Sequence, residues 1–239
     1  MDILFCKAPI EEDINSILSL LTLNEEHMRV KKYICEYFHI PTEPALQNNA
    51  VLETTVRTIV QNEQNNNAAA IAGKVEKMNY LWQENLNEIN HTLRSIFECT
   101  LKSQQLRAFM SVNCVCPYDF ENKRIYINYR KSSEEILETC VHELIHYYWF
   151  HKWNALFNDQ YPSSLVWIFS EIAIDALFFE TPLKKYCVSQ HPAHNHFYEE
   201  SYKGQNLMEY FRELYREHSI ADFMRLGIED VLACNGILE

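Results

Sequence analysis

Glycine and proline are scarce, at 4 and 7 in a chain of 239 residues. So few backbone breakers point to long helices joined by short connections. Clustered positive charge is missing as well. The formal net charge is −12 at pH 7, and a solvated helix face accounts for the densest basic run, RVKKY at Arg29–Tyr33. Contact with a phosphate backbone needs grouped Lys and Arg, so nucleic acid is not an expected partner. The 8 cysteines, Cys6, Cys35, Cys99, Cys114, Cys116, Cys140, Cys187 and Cys234, are scattered without a C-x-x-C pair, several of them in apolar contexts. That pattern fits buried reduced thiols better than a disulfide framework. On a strand, Cys114 and Cys116 would alternate faces, which disfavours a shared ion. No uninterrupted apolar run approaches the roughly 18 residues that a bilayer span requires. The opening MDILFCKAPIEED has neither the basic nor the long apolar region of a signal peptide. The expected protein is cytoplasmic, with no membrane span.

What is present is an ordinary globular balance, 47% hydrophobic and 23% charged, with ample material for a core in one large or two small domains. The first hundred residues read as helical. EEDINSILSLLTL carries Ile14, Ile17, Leu18 and Leu21 at helical spacing, EEHMRVKKYICEYFHI runs up to Pro41, and VEKMNYLWQENLNEINHTLRSIF repeats the periodicity. Between them, the Asn-rich stretch Gln61–Lys74 suggests an exposed loop or a frayed helix. Past Arg107, RAFMSVNCV and RIYINYR are β-branched and aromatic, and the turn-like CPYDFENK between them predicts a β-hairpin. A capping-box pair, Ser132 and Glu135, opens a helix predicted to run from about Ser133 to Trp153. SSLVWIFSEIAIDALFF gives a second helix, and one or two more follow NLMEYFRELYREH. The expected architecture is mostly α, of α+β type. It has a helical N-terminal region over residues 1–104 and a compact second domain over 105–239, with a small antiparallel β-sheet and a helix pair.

CVHELIHYYWF at Cys140–Phe150 sets two histidines and a glutamate in an otherwise almost wholly apolar run. Residues four apart on a helix are rotated by only about 40° and lie one turn apart. His142 and His146 are therefore able to present both imidazoles to one ion, with Glu143 beside them to face a water without ligating. This is H-E-x-x-H, two metal ligands and a general base. Leu137, Val141, Leu144, Ile145, Tyr148 and Trp149 surround the trio, and an unpaired carboxylate buried among them costs several kcal/mol, which a metal and its water offset. Catalytic zinc takes three protein ligands and keeps a position for water. The H-E-x-x-H-x-x-G-x-x-H route to the third is closed, because Trp149 and Lys152 stand at the glycine and final histidine positions, and His151 points roughly 140° away from His146. The next source is SEIAIDALFF, where Glu171 and Asp175 share one face of a second apolar helix. Glu171 is able to ligate, and Asp175 to accept the distal N–H of a ligand histidine.

HELIH followed by Glu171-Ile-Ala-Ile-Asp175 resembles the gluzincins, the thermolysin-like branch of zincin metallopeptidases, over about Arg107–Phe179. The resemblance implies a zincin-like fold for the second domain and one Zn2+ per chain on His142, His146 and Glu171. It also implies Glu143 as general base, Asp175 as the partner of His142, and hydrolysis of a peptide or protein substrate bound in extended form. RIYINYR would be the edge strand that pairs with the peptide. Gluzincins often supply an oxyanion donor from a Tyr or His after the ligand helices. His191, His194, His196, Tyr198 and Tyr202 are the candidates, with His196 and Tyr198 favoured. Ser170 replaces the Asn that thermolysin-type enzymes carry before the ligand Glu, and the Gly-rich β-domain of thermolysin has no counterpart. Two other readings share these residues: a zinc-bearing interaction or regulatory protein, and a hydrolase of non-peptide amides.

Overall fold

The computed structural model describes residues 1–22, 28–41, 49–101, 105–119 and 122–234. The expected helix start at 25–27, the middle of the expected turn at 120–121 and the expected boundary at residue 104 lie outside them. The chain divides into two compact units, Met1–Glu84 with Ser103–Ser132, and Asn85–Lys102 with Ser133–Glu239.

The first unit holds β1 (Asp2–Lys7), α1 (Ile10–Leu21), α2 (Met28–Phe38), α3 (Asn49–Asn66), the first part of α4 (Ala68–Phe97), β2 (Gln105–Ser111), β3 (Tyr118–Asp119) and β4 (Arg124–Asn128). Its sheet runs β1-β2-β4-β3. β1 departs from the helical reading of the N-terminus: Ile3 and Phe5 are buried while Leu4 is exposed, the period-2 signature of a strand. The sheet is mixed rather than antiparallel. β1 pairs parallel with β2, and β2 parallel with β4, from Arg107↔Arg124 to Ser111↔Asn128. The expected reversal between β2 and β4 falls instead between β3 and β4, because Tyr118 and Asp119 fold back onto Ile125 and Arg124. β4 therefore lies between two strands and is not the open edge foreseen for a peptide. The outer edge of β1 is covered too, since the Asn79 side chain accepts from the Phe5 N–H at 3.0 Å and donates to its C=O at 2.9 Å. The Asn-rich stretch is helical: α3 and α4 meet at Asn67, whose N–H and side-chain amide both donate to the Glu63 carbonyl, at 3.1 and 2.9 Å. Cys114–Cys116 lie in a loop rather than a strand, and no disulfide joins the cysteines among the described residues.

The second unit is built on α5 (Ser133–Phe157) and α6 (Ser163–Phe179), followed by short helical turns at Pro182–Tyr186 and Asn195–Tyr198. A hairpin, β5 (Ser201–Tyr202) with β6 (Gln205–Asn206), leads into α7 (Leu207–Glu217) and α8 (Ile220–Ala233). Lys203 and Gly204 have φ of 49° and 85°, the two positive values of a type I′ turn that suits a two-residue hairpin loop. Asn206 caps α7 by accepting from the N–H groups of Met208 and Glu209, and Ser219 caps α8 by accepting from Asp222. α6 is apolar almost all round and correspondingly buried, with Phe169 packed edge-on or tilted against Trp149, Phe211 and Phe223. No described helix is long and apolar enough to cross a membrane.

Candidate metal centre

Two buried helices bring the polar residues of the second unit together, each at one-turn spacing. Glu138, His142 and His146 follow one another on α5, and Trp167, Glu171 and Asp175 on α6. The Nε2 atoms of His142 and His146 lie 3.0 Å apart. Glu171 faces both, with Oε1 3.2 Å from His146 Nε2 and Oε2 3.7 Å from His142 Nε2. Ligand atoms on one tetrahedral ion with bonds of 2.0–2.1 Å are about 3.3 Å apart, so the three observed separations bracket that value. Two imidazoles this close cannot both carry a proton on the facing nitrogens. One shared proton or one dication satisfies the cluster, and the donor set, two imidazoles and a carboxylate, is that of a divalent metal site. His142, His146 and Glu171 form a buried cluster able to hold such an ion.

The electrostatics follow from burial. Burial, helped by the neighbouring charge of His146, pushes His142 down to about 3, which keeps its ring a neutral donor. For His146, burial opposes protonation, but the bond to Glu171 and the charges of Glu171 and Glu143 outweigh it and raise its pKa. Burial alone would raise Glu171, yet the bond from His146 and the nearby histidines carry it below the ordinary carboxylate value. Glu143 is buried beside this group, and burial, with repulsion from Glu171, pushes it up to about 7 despite the attraction of His146. A carboxyl poised there exchanges protons near neutrality.

The partners around the cluster differ from the expected ones. Asp175, foreseen beside His142, is fully buried but is taken by Arg212 from α7 and by Tyr198. Arg212 binds both carboxylate oxygens, Nη2 at 2.9 Å, and lies over the Phe179 ring. Two buried acids on one helix face need positive charge nearby, and for Asp175 it is a guanidinium. The ring N–H of His142 donates instead to the Pro192 carbonyl. With Nε2 turned to the cluster, Nδ1 is the atom left for Pro192, an outer contact that fixes the tautomer. Tyr198, favoured as an oxyanion donor, spends its hydroxyl on Asp175 at 2.6 Å, and burial together with that bond raises its pKa far above the ordinary phenol. His196 is exposed and lies tilted against the Phe197 ring. Ser170 donates to the Trp167 carbonyl of its own helix at 2.7 Å.

His194 is the histidine of this segment that reaches the cluster, with Nε2 3.8 Å from Glu171 Oε2. His194 is one of the expected candidates, although nothing in HPAHNHFY distinguishes it from its neighbours, and Glu138 lies outside the expected set. Glu138 lies one turn before His142 on the same face, and that spacing was a usable signal. Its carboxylate accepts from the N–H groups of Val188 and Ser189, at 3.2 and 3.1 Å, and from the Ser189 hydroxyl at 3.0 Å. No family model, curated protein or solved structure matches the chain.

Proposed function

We propose that the chain is a zinc-dependent metallopeptidase of gluzincin type, hydrolysing peptide bonds with Glu143 as general base. The supporting observation is the convergence of His142, His146 and Glu171 beside a separate buried carboxyl, Glu143. His142, His146 and Glu171 would hold the ion, which when bound would supply Lewis-acid polarisation of a scissile carbonyl and acidify a water. Glu143 would accept a proton from the attacking water as its oxygen bonds to the carbonyl carbon, and would return that proton to the amine nitrogen as the C–N bond breaks. Pro192 keeps the His142 ring oriented through its carbonyl, and the Glu171 carboxylate offsets positive charge in a buried pocket.

The test joins a metal assay to a cleavage screen. Purified protein should hold about one equivalent of zinc per chain, the stoichiometry of a single three-ligand site. Glu143→Gln should keep the metal and lose hydrolysis of a broad peptide library. Full activity in Glu143→Gln removes the general-base assignment. Metal retained by the native chain without turnover of any peptide favours a zinc-bearing interaction protein.

A further inference from the structure

The Pro192 carbonyl that accepts from the His142 ring belongs to a loop anchored on both sides of it. Tyr198 holds the two neighbours of Pro192. Its ring stacks on His191, with centroids 4.0 Å apart and an interplanar angle of 19°, and its hydroxyl accepts from the Ala193 N–H at 3.2 Å. That hydroxyl donates in turn to Asp175 at 2.6 Å, and Arg212 grips the same carboxylate. Tyr198 is itself fixed by Asn206, the cap of α7, whose side chain donates to its carbonyl at 2.7 Å. On the other side, Glu138 of α5 accepts from the N–H groups of Val188 and Ser189 at 3.2 and 3.1 Å. Proline adds its own restraint, because its ring fixes φ near −65° and confines the preceding residue to extended backbone.

We infer that Tyr198 is a positioning residue of the metal centre, setting the Pro192 carbonyl against His142 with Glu138 as the second anchor. This rests on the reading that His142, His146 and Glu171 bind a divalent ion, and it requires nothing of the hydrolysis. A ligand histidine depends on a fixed acceptor at its outer nitrogen, because that bond sets the tautomer and ring plane and makes the facing nitrogen more basic. Here the acceptor is a backbone carbonyl on a loop, and it is only as well placed as the residues on either side of it. Glu138 lies one turn before His142 and Asp175 one turn after Glu171, so each ligand helix spends a buried carboxylate on holding the same loop. Asp175 therefore serves His142 at second hand, through Tyr198 and Pro192. Without the phenol hydroxyl, the Ala193 N–H loses its acceptor and the loop is free to turn the carbonyl away. The three ligands stay on their helices, so the disturbance falls on the ring of His142.

The experiment uses the full chain and zinc alone, with no peptide present. Zinc affinity is read by competition with a chelating dye. The ring N–H of His142 is followed by nitrogen-edited NMR of the zinc-loaded protein and assigned by its absence in His142→Ala. Tyr198→Phe keeps the stacked ring and removes only the hydroxyl. It should weaken zinc binding about tenfold, the lower end of the loss on removing an outer contact of a ligand histidine, and the His142 N–H signal should vanish through fast exchange with water. Glu138→Ala, at the other anchor, should do the same, and it decides the matter if the first variant fails to fold. Native zinc affinity in both variants overturns the assignment. Weaker binding with the His142 signal intact overturns it as well, because the loss would then be general and not passed through Pro192. Failure of the native chain to take up zinc overturns the triad itself, an outcome distinct from either of these.

Discussion

Asp13 is fully buried near the carboxyl end of β2, where it accepts from the hydroxyl of Ser111, from the Gln64 amide at 2.6 Å and from the Val112 N–H at 3.3 Å. Burial raises its pKa, and the three donors and the charge of Lys7 recover only part of that cost. A carboxyl with a raised folded pKa binds its proton more tightly in the native state than in the unfolded chain. Its contribution to stability is whole below the unfolded pKa of about 3.9 and is lost as pH climbs through the folded value. Asp13→Asn removes the ionisation. Urea denaturation at several pH values should therefore show the variant gaining on the native protein as pH rises from about 4 toward neutrality, the range over which an unfolded Asp has already ionised. A stability difference that stays flat, or that moves toward the native protein, would refute a raised pKa at Asp13.

At the scale of elements, helical periodicity was the most legible part of the sequence. SSLVWIFSEIAIDALFF maps onto α6 at Ser163–Phe179, and the one-turn spacing of His142, His146, Glu171 and Asp175 fixed which side chains share a face. Which partner reaches Asp175 and His142 was not legible, because Arg212 comes from α7 and Pro192 from a loop, and no local spacing encodes either approach. Strand pairing was hidden for a similar reason: β-branched runs announce strands, but their parallel order depends on a partner, β1, about a hundred residues away in the sequence. One element contact has a direct consequence. Gly227 on α8 lies so close to Phe169 on α6 that an added Cβ would stand 2.3 Å from Cζ of that ring. Phe169 is walled in by Trp149, Phe211 and Phe223, so it has no room to yield. Gly227→Ala gains up to about 1 kcal/mol of helix propensity, against an overpacking cost of about 1–3 kcal/mol. Net destabilisation in a denaturant titration is the expected result, and a stabilised variant would show that α8 shifts away from α6 without penalty.

Over the whole molecule, the two units make a single unfolding midpoint an incomplete description, so a probe must be matched to the unit it reports. Trp149, Trp153 and Trp167 all belong to the unit that carries the His142/His146/Glu171 cluster, and only Trp82 belongs to the other. Tryptophan emission therefore follows chiefly the unfolding of α5 and α6. The cluster forms only when those helices pair, since His142 and His146 come from one and Glu171 from the other. An ion that binds this arrangement and not the unfolded chain stabilises it by about 2.7 kcal/mol at a hundredfold excess over Kd. For a chain of this size that corresponds to a rise of about 5–10 °C in the emission-monitored Tm, at roughly 2–4 °C per kcal/mol. Zinc should produce the shift, a chelator should reverse it, and His146→Ala should abolish it. Glu143→Gln should keep the shift, because Glu143 is not among the converging ligands. Equal shifts in His146→Ala and the native chain would place the ion elsewhere, and loss of the shift in Glu143→Gln would make Glu143 a ligand instead of a base.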